Sequence, residues 1–370
     1  MFEHDFLLGT YEDVPLSPSF WRHPIIQELR GKKQLGPLEG NKSASTHTRY
    51  EHSVMATRVA RAAFHVLARH GMEPCAGNDL AAATATHDMG HPGFSHPPEK
   101  LYKAIIGLDH KEWGLRLLHS DIRDADGKTL EDTLRESKVG LARLEAMLAG
   151  KDPAMKVCSD STLGADKLAY LLLDAKRVNF NQLPPDPRSV LRFLAYIDGV
   201  LGIEVARPYG EFESPFSNVE AVQYFQMRMY TDVYFSARTA SLDRAVQKAI
   251  DFAIRAGIFT EQGMSERDAV MKIWPLADEA LMDRIRNGNG NPTYDRALAK
   301  EACTALDSYR LGNPYVPVVA FKYRPFTIDR FDRERIAEMD KKTCLKFVRS
   351  YEDPREVTNL ERDLDRKSVV

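Results

Sequence analysis

Eleven residues restrict what this chain can become more than any other stretch: Thr86-His87-Asp88-Met89-Gly90-His91-Pro92-Gly93-Phe94-Ser95-His96. An Ala-rich helix read over Asp79 to His87 runs into this segment, and Pro92, Gly93, Pro97 and Pro98 break the chain behind it. Small side chains let such a helix pack closely on its neighbours. Adjacent His87 and Asp88 cannot share a helix face. They can converge on one point where a helix is ending, because the turn re-aims the second side chain. Imidazole mixed with carboxylate suits Mn, Fe, Co, Ni, Zn or Mg better than a thiolate site would. An incidental polar loop is the bland alternative, but three histidines and an aspartate this close are uncommon by chance.

The rest of the chain reads as mostly helical. Residues 1 to 24 look irregular around Pro15, Pro18 and Pro24, a short helix is expected from Ile25 to about Lys33, and Gly36 to Thr48 reads as a loop. A long helix follows from about Arg49 to His70. Its apolar residues recur three to four apart, and Gly71 ends it. Helices resume near Lys100 and at Lys111 to Leu118, and a charged stretch, 121 to 158, carries a helical patch from Leu130 to Leu148. Further helices are expected at Ala165 to Arg177, 187 to 199, 217 to 257, 265 to 287 and 293 to 309. Val318 to Tyr323, apolar and flanked by Pro317 and Pro325, is the one persuasive strand. The expectation is an all-α fold with a minor β element in the C-terminal third. A core is expected over 1–260, with an insertion at about 121–158, and a helical region, 261–370, packed on it.

Two further segments could join the central cluster. His52 sits in Arg49-Tyr50-Glu51-His52-Ser53, at the start of the long helix, where a lone histidine is more often a surface or capping residue. Asp166, Tyr170 and Asp174, spaced by four, lie along one face of their helix. Because Tyr170-Leu171-Leu172-Leu173 is too apolar to be exposed all round, that face borders a core, where carboxylates need partners or a metal.

Composition excludes several classes. Among 370 residues the formal net charge is -2, so no global basic field attracts nucleic acid, which is not otherwise indicated. The cysteines, Cys75, Cys158, Cys303 and Cys344, are far apart, which argues against a zinc-thiolate or disulfide framework and for a reducing cytoplasm. The acidic N-terminus does not read as a signal peptide. No apolar run approaches the ~20 residues of a membrane span, and no membrane partner is expected.

The order His52, His87-Asp88, Asp166 resembles the metal site of the HD superfamily. More narrowly, the chain resembles the deoxynucleoside triphosphate triphosphohydrolases, which include the bacterial dGTPases and the vertebrate SAM-and-HD-domain dNTPase. The likeness covers roughly residues 24 to 250. It rests on Gln34-Leu35, Arg49 to Ser53, His87-Asp88-Met89-Gly90-His91 through Phe94-Ser95-His96 and Glu99, His110-Lys111-Glu112-Trp113, and Asp166-Lys167 with Tyr170 and Asp174. The resemblance implies that His52, His87, Asp88 and Asp166 hold a divalent transition metal (Mn, Fe, Co, Ni or Zn), with Mg accompanying the substrate phosphates. It implies that His91, His96, Glu99 and His110 surround the scissile phosphate for proton transfer and charge stabilisation. Arg49 and Lys167 would hold phosphate oxygens, Tyr170 would line the triphosphate and sugar, and Gln34, beside Leu35, and Asp174 would read the sugar 3′-hydroxyl. Tyr234 resembles the tyrosine packed under the deoxyribose. The family often has an arginine eight residues earlier; here Gln226 stands there, and Arg228 is the nearest substitute.

The activity implied is hydrolysis of a dNTP at its α-phosphorus to a deoxynucleoside and tripolyphosphate, by a homo-oligomer. One alternative is an HD-type phosphatase or phosphodiesterase acting on nucleoside monophosphates, cyclic nucleotides or an alarmone. Another is a silent HD-like module that senses nucleotides.

Overall fold

Proline and capping chemistry set where the helices begin. The computed structural model describes residues 16–40, 44–70, 72–73, 76–197, 200–204, 215–261, 263–288 and 294–310. Two short helices, α1 (Pro18–Arg22) and α2 (Pro24–Gln27), each open on a proline, whose missing N–H costs nothing in a first turn. The helix expected over Ile25 to Lys33 is instead a single α turn that tightens into a 3-10 turn, Glu28–Gly31. A second 3-10 turn, Gly36–Gly40, lies in the expected loop. Thr48 then caps α3 (Arg49–Leu67): its hydroxyl accepts from the Glu51 amide while the Glu51 carboxylate accepts from the Thr48 amide.

Helix α3 is the central element, flanked by α4 (Ala76–Thr86) on one side and α10 (Ala165–Arg177) on another. Ala82, Ala83 and Ala85 of α4 are fully buried, which is what lets two backbones approach. The hydroxyls of Thr84 and Thr86 donate to the carbonyls four residues back, so this interior helix leaves neither unpaired. On this trio pack α8 (Leu141–Leu148) and α9 (Met155–Ser159); α6 (His110–Leu118) and α7 (Leu130–Glu136) pack on α8, and α5 (His96–Ile106) packs against helices later in the chain.

Chain direction changes after α11 (Pro187–Leu191). The helix expected over 187 to 199 stops there, and β1 (Leu194–Ile197) pairs antiparallel with β2 (Val200–Ile203), Leu194 facing Ile203 and Ile197 facing Val200. The fold is therefore all-α with one small β element, placed at this hairpin. The expected strand at Val318 to Tyr323 lies outside the described residues.

The single helix expected over 217 to 257 is three pieces: α12 (Pro215–Met229), a π-helical turn Tyr230–Tyr234, and α13 (Ala237–Arg255), capped by the Ser236 hydroxyl. The stretch 265 to 287 divides at Pro275 into α14 (Glu266–Ile273) and α15 (Asp278–Asn287). Finally α16 (Arg296–Arg310) packs along α13, burying Ala302 and Leu306. The described residues belong to one compact unit, within Met1–Gly312, and residues 313–370 lie outside the described residues. No described helix is long and apolar enough to cross a membrane.

Candidate metal centre and active site

The end of α4 meets α3 and α10 at one point. His52 is fully buried in the first turn of α3, His87 and Asp88 follow the last residue of α4, and Asp166 lies in the first turn of α10. His52 Nε2 is 2.9 Å from Asp166 Oδ1 and 3.6 Å from Asp88 Oδ2, while His87 Nε2 is 3.3 Å from both Asp88 Oδ1 and Asp166 Oδ1. One donor atom each from His52, His87 and Asp166 lies within 4.8 Å of the other two. His87 Nδ1 is fixed by the Thr84 carbonyl at 2.7 Å, which leaves Nε2 to face the carboxylates. His52 Nδ1 has no hydrogen-bond partner despite full burial, while Nε2 faces Asp166. Imidazole nitrogens and carboxylate oxygens crowded this closely around one point fit a cation placed between them, so these residues could hold a divalent metal.

The charges agree. Burial alone would push the Asp88 carboxyl up, but Arg49, His87 and His91 hold it well below the usual carboxylate range. The imidazoles of His52 and His87 likewise outweigh burial and lower Asp166. Burial opposes protonation of His87, but the charges of Asp88 and Asp166 outweigh it and raise the imidazole to about 9.

A second group stands beside the first. His91 Nε2 is 3.3 Å from Asp88 Oδ1, and the His91 ring stacks on His110 at 4.0 Å. Glu99 Oε1 accepts from the His110 amide at 2.9 Å and pairs with His110 Nδ1 at 2.6 Å; its other oxygen lies 3.3 Å from His96 Nδ1. Those bonds overcome burial and keep Glu99 ionised. Burial, with the Arg49 charge, pushes His91 well below the usual imidazole range and keeps it neutral. His96 is 69% exposed and forms the outer edge of the group.

The segment joining the groups is tightly held. A Cβ on Gly90 would lie 1.9 Å from the His110 carbonyl oxygen, so only glycine lets α6 approach. Phe94 and Ser95 both adopt positive φ, 60° and 63°, at a cost on the order of 1 kcal/mol each. The surroundings must impose that turn.

No protein-family model matches the chain. In sequence it is similar to uncharacterized protein MJ1154 of Methanocaldococcus jannaschii, 22% identical over 268 residues, 71% of this chain and 52% of that protein. It is also similar to uncharacterized protein YwfO of Bacillus subtilis, 26% identical over 230 residues, 61% of this chain and 49% of that protein. The chain thus spans about half the length of the curated relatives it matches. Among solved structures it resembles a phosphohydrolase (BT4208) from Bacteroides thetaiotaomicron, with TM-score 0.66, 19% identity, and 92% of this chain and 84% of that chain covered. A hypothetical protein from Aquifex aeolicus matches with TM-score 0.67 and 18% identity over 94% of this chain and 83% of that one. The chain shares its fold with a phosphohydrolase.

One helical face further along α10, Asp174 Oδ2 accepts the Tyr234 hydroxyl at 2.7 Å and Asp174 Oδ1 pairs with His47 Nε2 at 2.8 Å. The π-helical turn carries Tyr234, whose ring meets Tyr170 edge-on at 6.2 Å. Gln34 joins this corner through its main chain, its amide donating to the His47 carbonyl at 3.0 Å, and Leu35 packs on the core. Lys167 is buried and donates to Gln226 at 2.8 Å. Arg228 is turned to Asp232 on its own segment, 2.8 Å away. Arg49 donates through Nε to the Ser95 hydroxyl at 2.9 Å and through a terminal nitrogen to Asp88. The structure therefore gathers His52, His87, Asp88, Asp166, His91, His96, Glu99, His110 and Arg49 in one cluster, and Asp174, Tyr170 and Tyr234 in another along α10. Sequence reasoning passed over His47, Ser95, Trp274 and Asp278. For His47 a signal existed: an imidazole one residue before a capping threonine, in a loop already tied to Gln34.

Proposed function

We propose that this chain is a metal-dependent phosphohydrolase that cleaves deoxynucleoside triphosphates at the α-phosphorus, giving a deoxynucleoside and tripolyphosphate. The observation that carries the hydrolase reading is the convergence of His52, His87 and Asp166, from three separate elements, to donor atoms within 4.8 Å of one another. A divalent cation held by His52, His87, Asp88 and Asp166 would offset phosphate charge and bring a bound water towards a pKa of ~7.

The chain's own groups do the remaining work. Arg49, fixed between Ser95 and Asp88, presents a positive charge beside the cradle for a phosphate oxygen. Glu99 anchors His110 Nδ1, so His110 Nε2 is the atom that protonates the leaving oxygen; the paired carboxylate fixes the tautomer and supports the imidazolium. His96, exposed at the edge, contacts the outer phosphates instead. Asp174, with its two fixed partners, forms the polar end of the sugar site, and Tyr234 and Tyr170 are its apolar wall, excluding a 2′-hydroxyl.

A second reading keeps the hydrolysis and changes the substrate. Lys167 is occupied by Gln226 and Arg228 by Asp232, so only part of a triphosphate grip is already assembled. A phosphatase or phosphodiesterase for smaller nucleotides needs no more than that. The deciding experiment is a panel of all dNTPs and NTPs, with nucleoside monophosphates and cyclic nucleotides beside them, in Mn, Mg or Co, the products resolved by chromatography. Tripolyphosphate from dNTPs supports the first reading. Turnover of nucleoside monophosphates or cyclic nucleotides, with no tripolyphosphate from any dNTP, replaces it with the second.

A further inference from the structure

We infer that Asp278 is a positioning residue of this site: from the start of α15 its carboxylate pins the Phe94–Ser95 turn and so aims Arg49 and His96. The residue is 2% exposed. Its Oδ1 accepts from the Phe94 amide at 2.6 Å and its Oδ2 from the Lys33 amide at 3.0 Å. Ser95, the next residue, donates its hydroxyl to the Lys33 carbonyl at 2.8 Å and accepts from Arg49 Nε. Arg49 in turn pairs with Asp88, and its own amide donates to the Lys32 carbonyl at 2.9 Å. Hydrogen bonds joined through the backbone of Lys33 and of Phe94–Ser95 thus lead from Asp278 to a candidate metal ligand.

The bland account of a buried aspartate at a helix start is capping, and it fails here. Ala277 occupies the cap position, no side chain caps α15, and both Asp278 oxygens bond distant segments. The neighbours of Asp278 brace the same loop. Trp274 donates its indole N–H to the Gly90 carbonyl at 2.8 Å, and the Leu276 carbonyl lies so close to Gly93 that a Cβ there would be 2.7 Å away. Residues 274–278 therefore underlie the loop at Gly90, Gly93 and Phe94. Two backbone donors from separate segments need two acceptors on one rigid group, which a carboxylate has and an amide lacks. This explains why a turn with two successive positive φ values persists between His91 and His96.

The activity readouts rest on the function proposed above; the exchange readout does not. In Asp278→Asn only one amide can keep its acceptor. Hydrogen exchange at the Lys33 or Phe94 amide is expected to accelerate by at least about tenfold, while the Leu281 amide within α15 stays protected. In turnover of the dNTP found by the panel, kcat should fall by about tenfold or more, with a smaller change in KM. Ser95→Ala leaves the buried acid untouched and serves if Asp278→Asn does not fold. It should lower kcat similarly while the Phe94 amide stays protected. The double variant should lose little beyond either single one, since both break the same chain. Unaltered exchange at Lys33 and Phe94 in Asp278→Asn, or strictly additive losses in kcat, overturns the inference. In the Ser95→Ala experiment an unchanged kcat does so. Faster exchange in a protein that hydrolyses no dNTP supports the Asp278 clamp and removes only the proposed substrate.

Discussion

Three side chains whose donor atoms crowd within 4.8 Å of one another suit a shared cation, and His52 is the fully buried member of that set. His52→Ala should therefore lower bound metal below one equivalent and turnover by at least about a hundredfold. Elemental analysis of the purified variant beside its kinetics checks both, and full turnover with the metal gone would reject the mechanism. Tyr234→Ala removes the ring of the sugar-site wall together with the hydroxyl bonded to Asp174. Discrimination of dNTP over NTP should shrink by roughly tenfold or more. An unchanged ratio of kcat/KM values would detach Tyr234 from the sugar. Much at this scale was legible in the sequence. His87, Asp88 and Asp166 stand out because carboxylate and imidazole sit where helices start or stop. His47 and Ser95 did not, because their roles exist only through partners brought from far along the chain.

At the scale of elements, the approach of α6 to the histidine loop is decided by one missing side chain. Gly90→Ala would put a methyl against the backbone of His110 and Gly114, so α6 must move away and the stacked His91 and His110 rings separate. The expected cost is about 1–3 kcal/mol in urea unfolding, together with a loss of kcat. Wild-type stability and kcat would mean that the contact gives way without consequence. Helices α3, α4 and α10 were readable from apolar periodicity in the first and third and from small residues in the second. The hairpin was missed because Leu194 to Ile197 is a short apolar run that fits either period. Asp198-Gly199, followed by Val200 to Ile203, was the overlooked cue. In the long span after 217, the serine cap at 236 marked a new start, but a π-helical turn has no comparable signature in sequence.

Taken whole, the molecule should respond to both metal and pH. Because the cradle joins three helices, a cation that binds only the folded chain stabilises all of them together. At a hundred times its dissociation constant the gain is about 2.7 kcal/mol. Thermal melts should rise with Mn and fall back with chelator, and identical melts would argue against the cradle. Burial pushes the Asp243 carboxyl on α13 up to about 7. That group favours the folded state while protonated. Its contribution is complete below about pH 4 and is lost as pH rises through about 7. Asp243→Asn should thus raise Tm more at pH 8 than at pH 5; an equal gain at both would show that its carboxyl titrates normally. The C-terminal helices gave no functional signal in sequence, since their link to the site is a backbone bracket and not a motif. That bracket joins Lys33 to Asp278 across 245 positions. A chain emerging from the ribosome therefore has every candidate ligand long before it has the piece that seals the loop, and the cradle stays open until that piece arrives.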